Sequence, residues 1–124
     1  MRPGSLLLGL GALGALLASS GCYYDVESEL YPDNFCDTSV TTYADVVMPI
    51  VQSNCATPGC HVPGGTGTGD FTTYAGLRTQ VVSQRLIPSI RQESGAIAMP
   101  PTGRLSDCDI AKIVRWVDNG AQNN

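Results

Sequence analysis

The chain has 124 residues, of which 15% are charged and 43% are hydrophobic, and its formal net charge at pH 7 is −4. This length is enough for one small domain, and the acidic balance argues against nucleic acid, whose phosphates select basic protein surfaces. Two Phe and one Trp give only a thin aromatic core, which a disulfide or a buried cofactor would help to stabilise.

Residues 1–21 have the pattern of an export signal. Arg2 supplies a positive charge, positions 6–18 form a short apolar run, and positions 19–21 are small residues suited to cleavage. The apolar run is shorter than the about 20 residues that a transmembrane helix needs. We therefore interpret the segment as a signal peptide whose removal leaves residues 22–124 as an exported protein.

Cys22 directly follows the predicted cleavage point. Small residues before a cysteine resemble a bacterial lipoprotein signal, although Ser19 stands where such signals usually carry an aliphatic residue. The alternative is ordinary secretion with Cys22 as a free or paired thiol. We favour lipidation, because an odd exported cysteine otherwise needs a partner. This interpretation anchors the chain to the membrane by lipid, in the bacterial cell envelope at the periplasmic face or in the outer membrane.

The segment after Cys22 predicts a leader that precedes the folded domain. Residues 22–42 are polar and acidic without a clear period, so we expect an extended leader before a domain over residues 43–124. A first helix is predicted over residues 43–54, with Thr42 as its candidate N-cap. Pro49 should bend this helix or shift its start. The apolar residues at helical spacing are Val46, Val47, Ile50 and Val51.

The middle of the chain alternates loops with short helices. Residues 62–71 contain four glycines and predict a loop. Helices are predicted over residues 71–82 and, around an internal proline, over residues 85–91, whereas residues 92–105 have no regular pattern. The residues expected to face the core from these helices are Tyr74, Leu77, Val81, Leu86, Ile87 and Ile90, with Val82 as an additional candidate.

The last predicted helix is the clearest element. Ser106 and Asp109 have the spacing of a capping box that uses Asp in place of Glu, and Gly120 ends the helix. Its apolar stripe, at i, i+3, i+4 and i+7, is Ile110, Ile113, Val114 and Val117. Trp116 lies at the margin of the stripe, where it could cover a cofactor, although a single Trp on a helix is more often core. No strand pattern is present, so the predicted fold class is all-α.

The segment CATPGCH, Cys55 to His61, places two cysteines and the only histidine of the chain in one short loop. Two cysteine sulfurs can add across the vinyl groups of haem, and a histidine directly after them can ligate the iron. The usual spacing between the cysteines is two residues, and here it is four. Since Pro58-Gly59 is a turn pair, we expect the additional residues to loop outward. The motif predicts Cys55 and Cys60 as covalent haem attachment sites and His61 as an axial ligand.

A second axial ligand would come from one of two methionines. Met99 lies in a loop stiffened by Pro100 and Pro101, whereas Met48 lies in the helix before the motif. A stiff loop holds a thioether against iron without first having to become ordered. Taken alone, a loop methionine is usually packing, but beside this motif Met99 is the favoured ligand.

Four cysteines follow Cys22, and an exported protein is expected to pair those that are unmodified. Without a cofactor, the four allow three connectivities. If Cys55 and Cys60 hold haem, only a Cys36–Cys108 disulfide remains.

Residues 43–121 approximately resemble a class I cytochrome c, and in particular the small exported c-type cytochromes of bacteria. The resemblance rests on PIVQSNCATPGCH and AMPPTGRLSDCDIAKIVRWVDNGA and on the order of helices, glycine loop and Met-Pro between them. It implies an all-α domain around one haem c, with Cys55 and Cys60 on the vinyl groups and His61 and Met99 on the iron. It implies a monomeric electron carrier for redox protein partners rather than an enzyme, because both axial positions are filled.

Two other functions remain open from the residues alone. One is a structural zinc site, whose ligands would be Cys55, Cys60 and His61 with Cys36 or Cys108 as the fourth. Adjacent Cys and His form an awkward chelate, which disfavours this site. The other is a lipoprotein module with two disulfides and no redox role. A catalytic function is weaker than either, because the acidic residues are scattered and the single histidine has no evident catalytic partner.

Overall fold

The computed structural model describes residues 35–124. The predicted signal peptide (1–21), the predicted lipidation site Cys22 and most of the leader lie outside the described residues. Cys36–Asn124 form one compact unit, which includes the last part of the predicted leader. Its regular elements are all helical, so the described part of the chain is all-α, as predicted. No helix within residues 35–124 is both long enough and apolar enough to cross a membrane.

The first helix begins as a π-helical turn, Tyr43–Val47, and continues as α1, Met48–Asn54. Pro49 lies in the first turn of α1, directly after the π-helical turn. The hydrogen-bonding pattern of the helix thus changes next to a residue that has no N–H to donate. The helix as a whole still begins at Tyr43, as predicted, and only its α-helical part begins at Met48.

The prediction that Thr42 caps this helix is wrong. Thr42 precedes the π-helical turn, but its side chain accepts no hydrogen bond from the helix, and its hydroxyl donates to Asp45 (3.3 Å). The first N–H groups find acceptors far along the chain instead. Ala44 N–H donates to the main-chain oxygen of Asn124 (2.9 Å) and Tyr43 N–H to the side-chain oxygen of the same residue (3.0 Å).

The second helix, α2, spans Tyr74–Val82 and begins later than residue 71, the predicted start. Phe71 is outside it because its N–H donates to the His61 carbonyl oxygen (2.8 Å). Thr73 is the N-cap, and its hydroxyl accepts from the Gly76 N–H (3.2 Å). Val82 is 68% exposed rather than core, because successive residues of a helix point about 100° apart.

Two further helices complete the unit, α3 over Leu86–Arg91 and α4 over Asp107–Asp118. The Ser106 hydroxyl accepts from the Asp109 N–H (3.0 Å), which confirms the predicted cap of α4. Trp116 is fully buried and its Nε1–H donates to the Gln122 carbonyl oxygen (2.9 Å), so it is a core residue.

The core joins all of these elements. α4 packs on the π-helical turn and on α3, which also contacts α2. The Tyr43 ring meets Tyr74 edge to face (5.1 Å between centroids) and lies tilted against Trp116 (5.8 Å). The buried apolar residues are Tyr43, Val47, Val51, Phe71, Leu77, Leu86, Ile90, Leu105, Ile110, Ile113, Trp116 and Ala121.

A disulfide joins Cys36 to Cys108, with their Cα atoms 5.4 Å apart. It connects the end of the leader to the first turn of α4. This is the pairing that the sequence leaves if Cys55 and Cys60 hold a cofactor.

Truncation of Ile113 tests the core. Ile113 is 1% exposed, and Ile113→Ala should lower the free energy of unfolding by about 2–5 kcal/mol through lost burial and a residual cavity. The control Val82→Ala removes an exposed side chain and should change it by less than about 0.5 kcal/mol. Denaturant unfolding followed by circular dichroism measures both. Equal effects of the two substitutions would contradict the buried position of Ile113.

Removal of the disulfide tests the connection between leader and domain. Because the bond closes a sequence separation of 72 residues, Cys36→Ala/Cys108→Ala should lower the free energy of unfolding by about 2–5 kcal/mol. Thermal unfolding with and without a thiol reductant measures the effect. Reductant should lower the unfolding temperature of the wild type to about that of the double variant. It should leave the unfolding temperature of the double variant unchanged. A wild type that does not respond to reductant would show that the bond is absent from the isolated protein.

Candidate functional site

A single cavity brings the four predicted haem-binding residues together. Cys55, Cys60, His61 and Met99 all line it, although Met99 comes from a loop much further along the chain. The cavity has a volume of about 270 Å³ and is partly open to solvent. Its walls are mostly apolar, with contributions from Phe71, Leu86, Ile90, Ile97 and Pro100.

The two cysteines of the motif are free thiols in the structure, and both are partly buried. Cys55 follows the end of α1, where its N–H donates to the Val51 carbonyl oxygen (2.8 Å). Burial and, to a smaller extent, the neighbouring Cys60 together raise the pKa of the Cys55 thiol to about 11. Cys55 is therefore protonated at neutral pH.

The segment between the cysteines forms a turn in which Pro58 and Gly59 point outward, as predicted, whereas Ala56 packs against the core. The Cys60 N–H donates to the Thr57 carbonyl oxygen (3.0 Å), and the His61 N–H donates to the Cys55 carbonyl oxygen (3.2 Å). Pro58 and Gly59 are exposed at its tip, and Gly59 has a positive φ of 83° that favours glycine. Pro58 and Gly59 thus lie away from the cavity, whereas Thr57 lines it together with both cysteines.

The glycine loop folds back onto this turn. Thr66 N–H donates to the Gly59 carbonyl oxygen (3.0 Å) and Gly67 N–H to the Cys60 carbonyl oxygen (3.2 Å). A side chain at Gly65 would collide with the Cys60 carbonyl oxygen, so the close approach of the two segments requires glycine there.

The imidazole of His61 is held in one orientation by this loop. Its Nδ1 lies 3.0 Å from the main-chain oxygen of Thr68. A carbonyl oxygen can only accept, so Nδ1 carries the proton and Nε2 keeps a lone pair in the neutral ring. The Phe71 ring stacks on the imidazole, with centroids 4.0 Å apart and planes 3° from parallel.

The loop that carries Met99 is fixed to α3. The Met99 N–H donates to the Ser89 carbonyl oxygen (3.1 Å), and the neighbouring Pro100 is buried. Met48, the other candidate ligand, does not line the cavity; its sulfur accepts a hydrogen bond from the Tyr43 hydroxyl (3.3 Å). Of the two methionines, only Met99 shares the cavity with His61.

The geometry bears on the alternatives that the sequence left open. Cys36 and Cys108 are bonded to each other, so neither can complete a zinc site with the motif. Within residues 35–124, no group of three or more Cys, His, Asp or Glu side chains is arranged to hold a metal ion. The second disulfide of the structural module, which would join Cys55 to Cys60, is not formed.

Sequence reasoning missed three residues that surround the histidine, namely Gly67, Thr68 and Phe71. It treated the glycine segment as a connecting loop and Phe71 as the start of a helix. The high glycine content after the motif was the only available sign that another segment approaches the backbone closely there.

Comparison of the chain with protein-family models, with curated proteins and with solved structures found no match. The resemblance to class I cytochrome c therefore depends on the motifs of the chain itself.

Alkylation of the thiols tests the environment of Cys55. The raised pKa keeps Cys55 as the neutral thiol, so at pH 8 its thiolate population should be about a hundredfold below that of a thiol with the ordinary pKa of 9.0. The rate of iodoacetamide labelling of Cys55 in haem-free protein, followed by peptide mass spectrometry, should still rise between pH 9 and pH 11. Denatured protein is the control, and its labelling rate should level off near the ordinary thiol pKa of 9.0. A labelling rate that levels off near pH 9 in the folded protein would contradict the buried position.

Proposed function

We propose that this protein is an exported monohaem c-type cytochrome that carries electrons and is not an enzyme. The observation that supports it is the single cavity lined by two free thiols, one imidazole and one thioether. These are the groups that a covalently attached haem with two axial ligands requires. The mostly apolar cavity walls suit the porphyrin ring, and Arg85 is a charged residue on the cavity wall that would pair with a haem carboxylate.

Cys55 and Cys60 would attach the haem through its two vinyl groups. In each addition the S–H bond of the thiol and the π bond of the vinyl group would break, sulfur would bond to one vinyl carbon, and the hydrogen would go to the other. No electrons are gained or lost, but both cysteines must be reduced, as they are in the structure. The outward turn at Pro58 and Gly59 supports this role, since it leaves both cysteines on the cavity wall despite the longer spacing.

His61 and Met99 would occupy the two axial positions. Haem, when bound, supplies a one-electron Fe(III)/Fe(II) couple. The hydrogen bond from Nδ1 to Thr68 would leave His61 Nε2 as the nitrogen that holds the iron. A thioether is a weaker donor than a second imidazole, so Met99 would favour the reduced state. If both residues held the iron, no open position would remain for oxygen or substrate, and outer-sphere electron transfer to a redox protein partner would be the remaining chemistry.

The proposal includes export and anchoring. Residues 1–21 would direct the chain out of the cytoplasm, and a lipid on Cys22 would hold a monomeric domain at the membrane of the bacterial cell envelope. The disulfide between Cys36 and Cys108 supports an oxidising location, because such bonds persist mainly outside the cytosol.

An absorption spectrum of the full chain, exported from a host with haem-attachment machinery, tests the proposal. A reduced low-spin spectrum should appear, and the haem should stay with the protein through alkaline pyridine and acid extraction. Cys55→Ser/Cys60→Ser should lose covalent haem, whereas Cys36→Ala/Cys108→Ala should retain it. A colourless wild-type protein would refute the proposal and leave the structural lipoprotein module as the better explanation.

The two methionines form a matched pair for testing the second axial ligand. Met99→Ala should abolish the methionine–iron charge-transfer band of the oxidised protein and lower its reduction potential. Met48→Ala should retain the band, because Met48 packs against Tyr43 and not in the cavity. A band that survives in Met99→Ala and disappears in Met48→Ala would assign the ligand to Met48 instead.

A further inference from the structure

The two faces of the His61 imidazole are covered by residues outside the CATPGCH motif. Phe71 stacks on one face, with ring centroids 4.0 Å apart. A Cβ atom added to Gly67 would lie 2.7 Å from Nδ1 and 2.8 Å from both Cγ and Cε1 of the ring. Near-equal distances to three adjacent ring atoms place the Gly67 backbone over a face of the imidazole rather than at its edge.

Gly67 and Phe71 lie on opposite faces. If both were on the same side, a Cβ at Gly67 would meet the stacked Phe71 ring first. Its three nearest atoms all belong to His61 instead. The imidazole is therefore enclosed by a glycine backbone and a phenyl ring, and the Thr68 carbonyl oxygen binds its Nδ1 edge at 3.0 Å. The Nε2 atom has no hydrogen-bond partner among the described residues, and His61 lines the cavity.

We propose that Phe71 and Gly67 are positioning residues that fix the plane of the His61 imidazole before a cofactor is attached. Neither would touch the iron; each acts through His61. The ligand role of His61 rests on the proposed function, whereas the clamp itself is a property of the polypeptide. The N–H of Phe71 donates to the His61 carbonyl oxygen (2.8 Å), so the clamping residue and its target are also connected through the main chain.

The physical reason is the soft torsion of histidine. The outer side-chain torsion of histidine, χ2, has broad minima, so hydrogen bonding at one ring nitrogen leaves the plane free to rock. Contacts on both faces remove that freedom in advance, and a group held ready in one orientation binds its ligand with less ordering cost. Outer-shell contacts of this kind also tune the metal that the histidine binds.

Phe71 is also a core residue, 6% exposed, so its variants must separate orientation from packing. Phe71→Leu removes the flat aromatic surface but keeps a large apolar side chain, whereas Phe71→Tyr keeps the ring. Ile113→Val is the control for a mild core change, since Ile113 does not line the cavity. Gly67→Ala tests the other face. Gly67 has no positive φ, so its backbone accepts alanine, and the three atoms nearest to the added Cβ all belong to the imidazole, which must therefore move.

The protein is expressed from the full-length gene product with its export signal and measured as isolated. The clamp is then tested whether or not the isolated protein carries haem. If it carries haem, electron paramagnetic resonance of the oxidised form is the readout. Wild type, Phe71→Tyr and Ile113→Val should each give one narrow low-spin species. Phe71→Leu should give a broadened or split signal, and Gly67→Ala should shift it or lose the low-spin species. Narrow, unshifted spectra from both Phe71→Leu and Gly67→Ala would overturn the clamp while leaving the haem proposal intact.

If the isolated chain carries no haem, the haem proposal fails and nuclear magnetic resonance tests the clamp alone. His61 is the only histidine, so its ring protons are assigned without ambiguity. The stacked Phe71 ring should move them upfield and give cross-relaxation to Phe71 protons in wild type and Ile113→Val. Phe71→Leu should abolish the upfield shift. Ring protons at ordinary positions in the wild type would overturn the clamp.

Discussion

The hydrogen bond from His61 Nδ1 to the Thr68 main-chain oxygen, 3.0 Å long, is the interaction that orients the imidazole at the cavity. It sets the tautomer, so that the lone pair is on Nε2. This hydrogen bond also requires the glycine loop to fold back onto the CATPGCH motif. Glycine makes this possible, since a side chain at Gly65 would strike the Cys60 carbonyl oxygen and one at Gly67 would strike the imidazole. The glycine loop is thus part of the site and not a connection between helices.

The remaining helices hold the two halves of the site in place. Met99 belongs to an irregular segment, yet its N–H is bonded to Ser89 in α3, which in turn packs on α4. The segment after α4 forms hydrogen bonds with residues from much earlier in the chain. The Tyr74 hydroxyl donates to the Ala121 carbonyl oxygen (2.8 Å), and Asn124 accepts from the start of the first helix. A small domain with few aromatic residues thereby gains order from long-range hydrogen bonds and from its disulfide.

Predictions from the local sequence were correct where the hydrogen-bond partner lies within a few residues and wrong where it is distant along the chain. Ser106 caps α4 as predicted, because the acceptor and the Asp109 N–H are three residues apart. Thr42 occupies an equivalent position and does not cap, since Asn124 supplies acceptors from the other end of the described chain. Phe71 looked helical from its apolar spacing, but a main-chain hydrogen bond to His61 holds it in the loop. Spacing along the chain contains no information about such partners.

The sequence by itself determined the chemical groups of the site and the helical class of the fold. Its cysteines, its single histidine, its Met-Pro loop and its helical periodicity are all properties of nearby residues. Only the tertiary structure decided that Met99 and not Met48 shares the cavity with His61, and that Phe71 and Gly67 cover the imidazole. These are contacts between distant segments or across a folded loop, and they depend on how the backbone turns and on which atoms can approach closely.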